Sequence, residues 1–136
     1  MDLTKEQQKQ LEALAAEFGI SLILAFGSKV KGTARPESDL DIAILLDNAE
    51  NKTDTFLQLF PRLETVFPGE RIDLAIINHA DPLFLNQVMA QATRLFGSEE
   101  KFRSMKLLAF KQYQDHKPYL QMEQEYVRRV AAKARG

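Results

Sequence analysis

The chain has 136 residues, of which 45% are hydrophobic and 27% charged, a composition typical of one globular domain and not of a disordered protein. It has no cysteine and only two histidines, so a structural zinc site is all but excluded, and a bound metal would need oxygen ligands, which favours Mg²⁺ or Mn²⁺. No apolar run approaches a bilayer span, the start lacks the order of a signal peptide, and the net charge is −1. We therefore expect a cytoplasmic protein with no membrane contact and no direct binding of nucleic acid.

The N-terminal third is predicted to contain one helix and one buried strand. Thr4 and Gln7 have the spacing of a capping box, and apolar residues then recur at helical intervals until a glycine. Residues 20–26 are apolar at all but one position, which predicts a strand buried on both faces. A short helical turn at 28–31 and a loop at 32–38, rich in Gly, Thr, Pro and Ser, are expected next.

Two further strands are predicted on either side of a phenylalanine-rich helix. The second strand covers 39–46 and ends in the apolar run IAILL. Thr53 is the expected cap of the helix, and Pro61 should kink or divide it because an internal proline removes a helical hydrogen bond. The third strand covers 71–78, where apolar residues surround a single aspartate, Asp73.

The C-terminal part is predicted to be helical. Asp81 before a proline is typical of a helix cap, so a helix is expected over 82–93, and residues 94–97 are interpreted as a short connection. Ser98 with two following glutamates opens a long helix, which Pro118 should kink or split. The predicted order is α-β-α-β-α-β-α-α.

This alternation, without a repeat or a linker, predicts an α/β (α+β) fold with a small mixed sheet of about three to four strands and flanking helices. We expect a single domain over 1–136. Its core would span about 4–97, followed by a helical extension over about 98–132.

Residues 27–41, GSKVKGTARPESDLD, carry the candidate catalytic site. Asp39 and Asp41 stand at i and i+2 of a strand, so their carboxylates share one face, with Cα atoms about 6.5–7 Å apart. Asp39 alone would be an ordinary first residue of a strand, but Asp41 leads directly into buried positions. Such a pair suits Mg²⁺, and two ions about 3.5–4 Å apart would stabilise the attacking and leaving oxygens of nucleotidyl transfer.

Asp73 is the third candidate carboxylate. Its apolar neighbours predict a costly desolvation unless a cation or hydrogen bonds compensate. If the second and third strands are neighbours, Asp73 joins Asp39 and Asp41 at one edge of the sheet, where it would act as a metal ligand or as the general base. The ordinary alternative is a salt bridge to Arg71 or to a lysine.

The turn before the second strand is a candidate phosphate site. Gly27 would let the backbone approach a triphosphate, and Ser28 would offer an amide and a hydroxyl at a helix N-terminus. Lys29, Lys31 and Arg35 would screen the β- and γ-phosphates, with Arg35 the better bidentate partner.

These residues resemble the minimal nucleotidyltransferases of the DNA polymerase β superfamily. The resemblance covers residues 20 to about 96 and is carried by Gly27, Ser28, Gly32, Ser38, Asp39, Asp41 and Asp73. More narrowly, so short a chain with a C-terminal helical extension resembles the antitoxin of a module whose toxin is a HEPN-domain ribonuclease.

That resemblance implies transfer of AMP from ATP to a tyrosine of the toxin, which silences it. Gly27 and Ser28 would bind phosphate, Ser38 joins Lys29 and Arg35 as a candidate nucleotide contact, and the three aspartates would hold Mg²⁺. Lys29 stands where many relatives have arginine.

Two other functions stay open. A nucleotidyltransferase acting on a small molecule would keep this site, although such enzymes usually carry a substantial further domain for the acceptor. An antitoxin acting by contact alone would use the C-terminal helix, where Tyr119 and Tyr126 are interface candidates and Phe102 and Met105 are expected in the core. His79 and His116 receive no role, and neither the nucleotide base nor the homo- or hetero-oligomeric state is indicated.

Overall fold

The computed structural model describes residues 1–27, 29, 32 and 38–135, so most of the predicted turn and loop at 28–38 lies outside the described residues. The elements are α1 (Lys5–Phe18), β1 (Ile20–Phe26), β2 (Leu40–Leu46), α2 (Lys52–Val66), β3 (Ile72–Ile76), α3 (Pro82–Gln91), β4 (Thr93–Phe96) and α4 (Glu99–Arg135). In these ranges, none of the helices combines the length and hydropathy that a membrane span requires.

The strands form one mixed sheet in the order β3-β2-β1-β4. Strand β1 is antiparallel to β2 and β4, whereas β2 and β3 are parallel. The expected small mixed sheet with flanking helices is therefore confirmed. Residues 94–97 were wrongly interpreted as a connection, because a four-residue strand is too short to show a period and is formed by its pairing with β1.

Helix α1 forms where it was predicted, because both of its ends are capped. The Thr4 hydroxyl accepts a hydrogen bond from the Gln7 amide N–H, and the Gln7 side-chain oxygen accepts one from the Thr4 N–H, each at 3.0 Å. Gly19 ends the helix with φ +66. Helix α2 starts earlier than expected: its cap is Asn51, not Thr53, and the Asn51 carbonyl already accepts the first helical hydrogen bond at 2.9 Å.

Pro61 and Pro118 lie inside α2 and α4, which each continue as one helix, so neither proline divides its helix; the alternative outcome, a kink, stays a prediction. Each proline removes the hydrogen bond to the carbonyl four residues earlier, which belongs to Leu57 and Gln114 respectively. Both of these residues are exposed, so water can replace the missing donor.

The sheet separates two apolar layers. Alternate β2 side chains, beginning with Leu40, pack with α1 and α2, whereas Ala43 and Leu45 pack with α3 and α4. The predicted core residues Met105 and Phe102 of α4 lie in this second layer. Since Asp41 has the same parity as Ala43 and Leu45, its side chain projects on the α3–α4 side of the sheet.

Strand β3 covers Ile72–Ile76, so the predicted extent of 71–78 is wrong at both ends. At Asn78 a side chain replaces the hydrogen bonds of the sheet ladder. The Asn78 amide donates to the Leu46 carbonyl at 2.9 Å and its oxygen accepts from the Leu46 N–H at 2.8 Å. This pair of bonds fixes the chain after β3 to the end of β2.

Candidate functional site

Parallel pairing of β2 and β3 places two aspartates directly opposite each other. Asp41 is in register with Asp73, and Leu40 with Ile72. Residues that pair in register project on the same face of a sheet, and Asp39 shares that face because it precedes Asp41 by two positions. The structure therefore brings the three predicted aspartates to one edge of the sheet.

The environment of Asp41 is electrostatically unfavourable for a charged carboxylate. Burial raises the pKa of Asp41, and the charge of Asp73, a hydrogen bond with Asp73 and the charge of Asp39 raise it further. The side chains of Leu40 and Ile42 on either side are fully buried. A cation at this edge would relieve the repulsion between the carboxylates.

Asp73 itself is exposed, so the prediction that its apolar neighbours would desolvate it is wrong. The physical reason is the position of β3 at the edge of the sheet. Ile72 and Leu74 point to the opposite face, where they pack with α1 and α2. Asp73 is the most accessible of the three aspartates.

Asp39 is paired with a cation of the protein. Arg71 Nε lies 3.3 Å from Asp39 Oδ1, whereas the ordinary explanation considered from sequence would have paired Arg71 with Asp73. Two residues before the Asp41–Asp73 pair, the same register places Arg71 opposite Asp39, which explains why Arg71 contacts Asp39 and not Asp73. Within residues 1–27, 29, 32 and 38–135, no group of three acidic, histidine or cysteine side chains is already arranged to bind a metal ion.

Gly27 lies against the Asp41 carboxylate. Phe26 pairs with Asp41 across β1 and β2, and Gly27 follows with φ +83, a conformation that side chains rarely adopt. A β-carbon at this position would overlap Asp41 Oδ2 and lie 3.1 Å from Asp41 Cγ. Gly27 thus leaves free the space that the Asp41 carboxylate occupies, and its approach to phosphate stays a prediction.

The remaining candidate nucleotide contacts are only partly described. Ser28, Lys31 and Arg35 lie outside the described residues, and Ser38 is half-buried directly before Asp39. Lys29 Nζ lies 2.5 Å from Glu70 Oε2, with 21% and 35% of the two side chains exposed. Lys29 is therefore engaged by a carboxylate on the segment that leads into β3.

The sequence did not indicate Glu70 and suggested Arg71 only as one alternative partner of Asp73. These adjacent residues pair with one predicted phosphate contact and one predicted metal ligand, Lys29 and Asp39. The contact of Arg71 with Asp39 could have been found from the register of the parallel strands, which places these two residues opposite each other. No pattern in the sequence indicates the Glu70 contact, because its partner is 41 residues away.

Residues 8–101 match the family described as Polymerase beta, Nucleotidyltransferase. The protein adenylyltransferase MntA of Aphanizomenon flos-aquae is 29% identical over 104 residues, which are 66% of this chain and 68% of that protein.

Solved structures of toxin–antitoxin complexes contain chains with the same fold. A toxin–antitoxin with AMP-PNP matches with a TM-score of 0.70 and 23% identity, over 92% of this chain and 98% of that chain. The complex of a tri-AMPylated Shewanella oneidensis HEPN toxin with MNT antitoxin matches with a TM-score of 0.66 and 20% identity, over 94% and 98%.

Proposed function

This chain belongs to the polymerase beta nucleotidyltransferase family, and we propose that it is an antitoxin that transfers AMP from ATP to a tyrosine hydroxyl of a HEPN toxin. The observation that carries the proposal is the register of β2 and β3, which sets Asp41 opposite Asp73 with Asp39 two residues earlier. The similar MntA is named a protein adenylyltransferase, and a similar complex contains an AMPylated HEPN toxin, which supports the choice of acceptor. Because ATP would be its substrate, we propose that the protein acts in the cytoplasm.

The residues present fit a divalent cation. All candidate ligands are carboxylate oxygens, and the pKa of Asp41 is raised by its burial and then by the neighbouring carboxylates of Asp73 and Asp39, whose charges a cation would neutralise. Asp39, Asp41 and Asp73 would hold Mg²⁺ or Mn²⁺, which when bound neutralises the negative charge of the triphosphate and of the departing pyrophosphate. Asp39 would exchange its contact with Arg71 for the metal.

The transfer itself is a displacement at the α-phosphorus of ATP. The tyrosine oxygen forms a bond to this phosphorus, the bond to the bridging oxygen breaks, and pyrophosphate leaves. The Asp73 carboxylate accepts the phenolic proton, because it is the exposed aspartate on an edge strand and can be reached by a protein acceptor. Asp41 is half-buried and is held in place beside Gly27.

The phosphates of ATP would lie along the turn after β1. Gly27 and Ser28 offer backbone and hydroxyl groups, and Lys29, Arg35 and Ser38 complete the proposed nucleotide contacts. Lys29 would exchange Glu70 for a phosphate oxygen.

The test combines the protein, its HEPN partner, ATP and Mg²⁺, followed by the intact mass of the toxin. We expect one or more added AMP groups on the toxin, loss of the addition in the Asp39→Ala/Asp41→Ala variant, and no change in the control Asp2→Ala, which alters an exposed aspartate near the start of the chain. An unmodified toxin with the wild-type protein would refute the proposal. If the double variant still neutralised the toxin, neutralisation would be by contact alone.

A further inference from the structure

The second half of α4 projects beyond the core. Met105 and Ala109 are buried against β1 and α3, but beyond Tyr113 the helix continues to Arg135 with all but three residues exposed. We call residues 114–135 the tail helix. Three of its large side chains, Tyr119, Met122 and Tyr126, are 62%, 67% and 69% exposed.

The exposed residues of the tail helix follow a heptad pattern. Six positions recur at alternating intervals of four and three residues and so lie along one side of the helix. We call this set the seam: Asp115, Tyr119, Met122, Tyr126, Arg129 and Lys133. All six seam residues are exposed.

The seam offers recesses for inserted side chains, as a helix surface does between residues at this spacing. Two surface depressions lie along it, one lined by Met122, Glu125, Tyr126 and Arg129, and the next lined by Tyr126, Arg129, Val130, Ala132 and Lys133. In a coiled coil, each inserted side chain occupies a hole formed by four residues of the facing helix, at the spacing i, i+3, i+4, i+7. Both depressions contain such a set of four.

The charges of the tail helix are distributed unequally along its length. Residues 114–125 contain three acidic residues and one lysine, whereas residues 126–135 contain four basic residues and no acidic one. Along the seam, Asp115 stands at one end and Arg129 and Lys133 at the other. In an antiparallel pair of tail helices, the acidic part of one helix would lie beside the basic part of the other.

We propose that the tail helices of two copies of this chain pair antiparallel, with the two-fold axis beside Gln124. This register sets Met122 against Tyr126, Tyr119 against Arg129, and Asp115 against Lys133 of the second copy, each contact occurring twice as two-fold symmetry requires. The contacts are a sulfur–aromatic pair, a cation–π pair and an ion pair. Met122 and Tyr119 then insert into the two depressions.

The length of the tail helix agrees with this register. Arg135 of one copy would lie beside Tyr113 of the other, so the overlap ends where each helix joins its own core. The overlap is roughly 33 Å long. Parallel pairing would instead place Asp115 against Asp115 and Lys133 against Lys133, and this repulsion favours the antiparallel arrangement. The proposal goes beyond the proposed function and uses none of its site residues.

Sedimentation of the full chain at increasing concentration tests the association. We expect a mass that rises from 15.5 kDa towards twice that value. Asp115→Lys and Lys133→Asp should each stay monomeric, whereas their equimolar mixture should dimerise because both ion pairs are restored. As a control, Lys117→Asp makes the same charge change as Lys133→Asp, but on the opposite side of the helix, and should dimerise like the wild type. A monomeric wild type, or charge variants that dimerise alone, would overturn the proposal.

Cysteine cross-linking tests the orientation, since the chain has no cysteine. Under mild oxidation, a mixture of Met122→Cys and Tyr126→Cys should cross-link faster than either variant alone. Faster cross-linking of each variant with itself would indicate parallel pairing and contradict the register. If the wild type is monomeric and Tyr126 becomes protected only when a HEPN partner is added, the toxin covers the seam and the proposal is wrong.

Discussion

Gly27→Ala should separate the cost of backbone strain from the loss of the catalytic arrangement. At φ +83 an added side chain costs about 1–2 kcal/mol, because L-residues avoid the left-handed region. The new β-carbon also overlaps Asp41 Oδ2, so the carboxylate must move. A displacement of about 1 Å in a catalytic group can reduce the rate on the order of 100-fold.

Gly69→Ala is the matched control. Gly69 has the same φ of +83, but a β-carbon built on it meets no atom within 4 Å. Both variants should lose about 1–2 kcal/mol of unfolding free energy, a fall in Tm of roughly 4–8 °C for a chain of this size. Only Gly27→Ala should lose AMP transfer, measured as the initial rate of toxin modification at saturating ATP.

The two measurements together decide whether the reasoning is right. If Gly27→Ala modified the toxin as fast as Gly69→Ala, the contact between Gly27 and Asp41 would not position the catalytic carboxylate. If Gly69→Ala lost activity to the same degree, the loss in Gly27→Ala would follow from strain and not from the displaced aspartate.

Three further variants test the electrostatics of the site and its support. The folded-state pKa of Asp41 is raised, so its ionised form opposes folding above that pKa and stops doing so below the ordinary value of 3.8. In denaturant melts, Asp41→Asn should therefore raise the unfolding free energy of the metal-free protein at neutral pH but not at about pH 3. An equal rise in unfolding free energy at both pH values would contradict this. Glu70→Gln frees Lys29 from a partly exposed ion pair worth at most about 1 kcal/mol, so the KM for ATP should fall by up to about 5-fold. An unchanged KM would argue against Lys29 as a phosphate contact. Asn78→Ala removes the side chain that bonds the N–H and carbonyl of Leu46 and should cost about 1–3 kcal/mol of unfolding free energy. A loss below about 0.5 kcal/mol would show that water replaces both hydrogen bonds.

The elements with local signals were predictable from sequence. The capping box of Thr4 and Gln7 and the apolar run of β1 lie within a few residues, so α1 and β1 have the bounds that the pattern indicates. The two prolines allowed either a kink or a division, and sequence could not exclude division because it does not show whether water reaches the freed carbonyl. Strand β4 exists only through its pairing with β1.

The proximity of the three candidate aspartates was predictable from sequence, but the contacts around them were not. Two aspartates at i and i+2, followed by a third in a neighbouring parallel strand, were enough to bring three carboxylates together. The exposure of Asp73 depends on β3 being an edge strand, and the engagement of Lys29 by Glu70 depends on packing between segments 41 residues apart. Such long-range contacts leave no periodic trace in the sequence.

The fate of the phosphates of ATP tests the proposed reaction most directly. With ATP labelled separately at the α- and γ-phosphates, the HEPN partner should acquire the α label alone, and the γ label should appear in pyrophosphate in equal amount. The Asp39→Ala/Asp41→Ala variant should give neither product. Transfer of the γ label to the toxin, or release of pyrophosphate without labelling of the toxin, would contradict adenylyl transfer by this site.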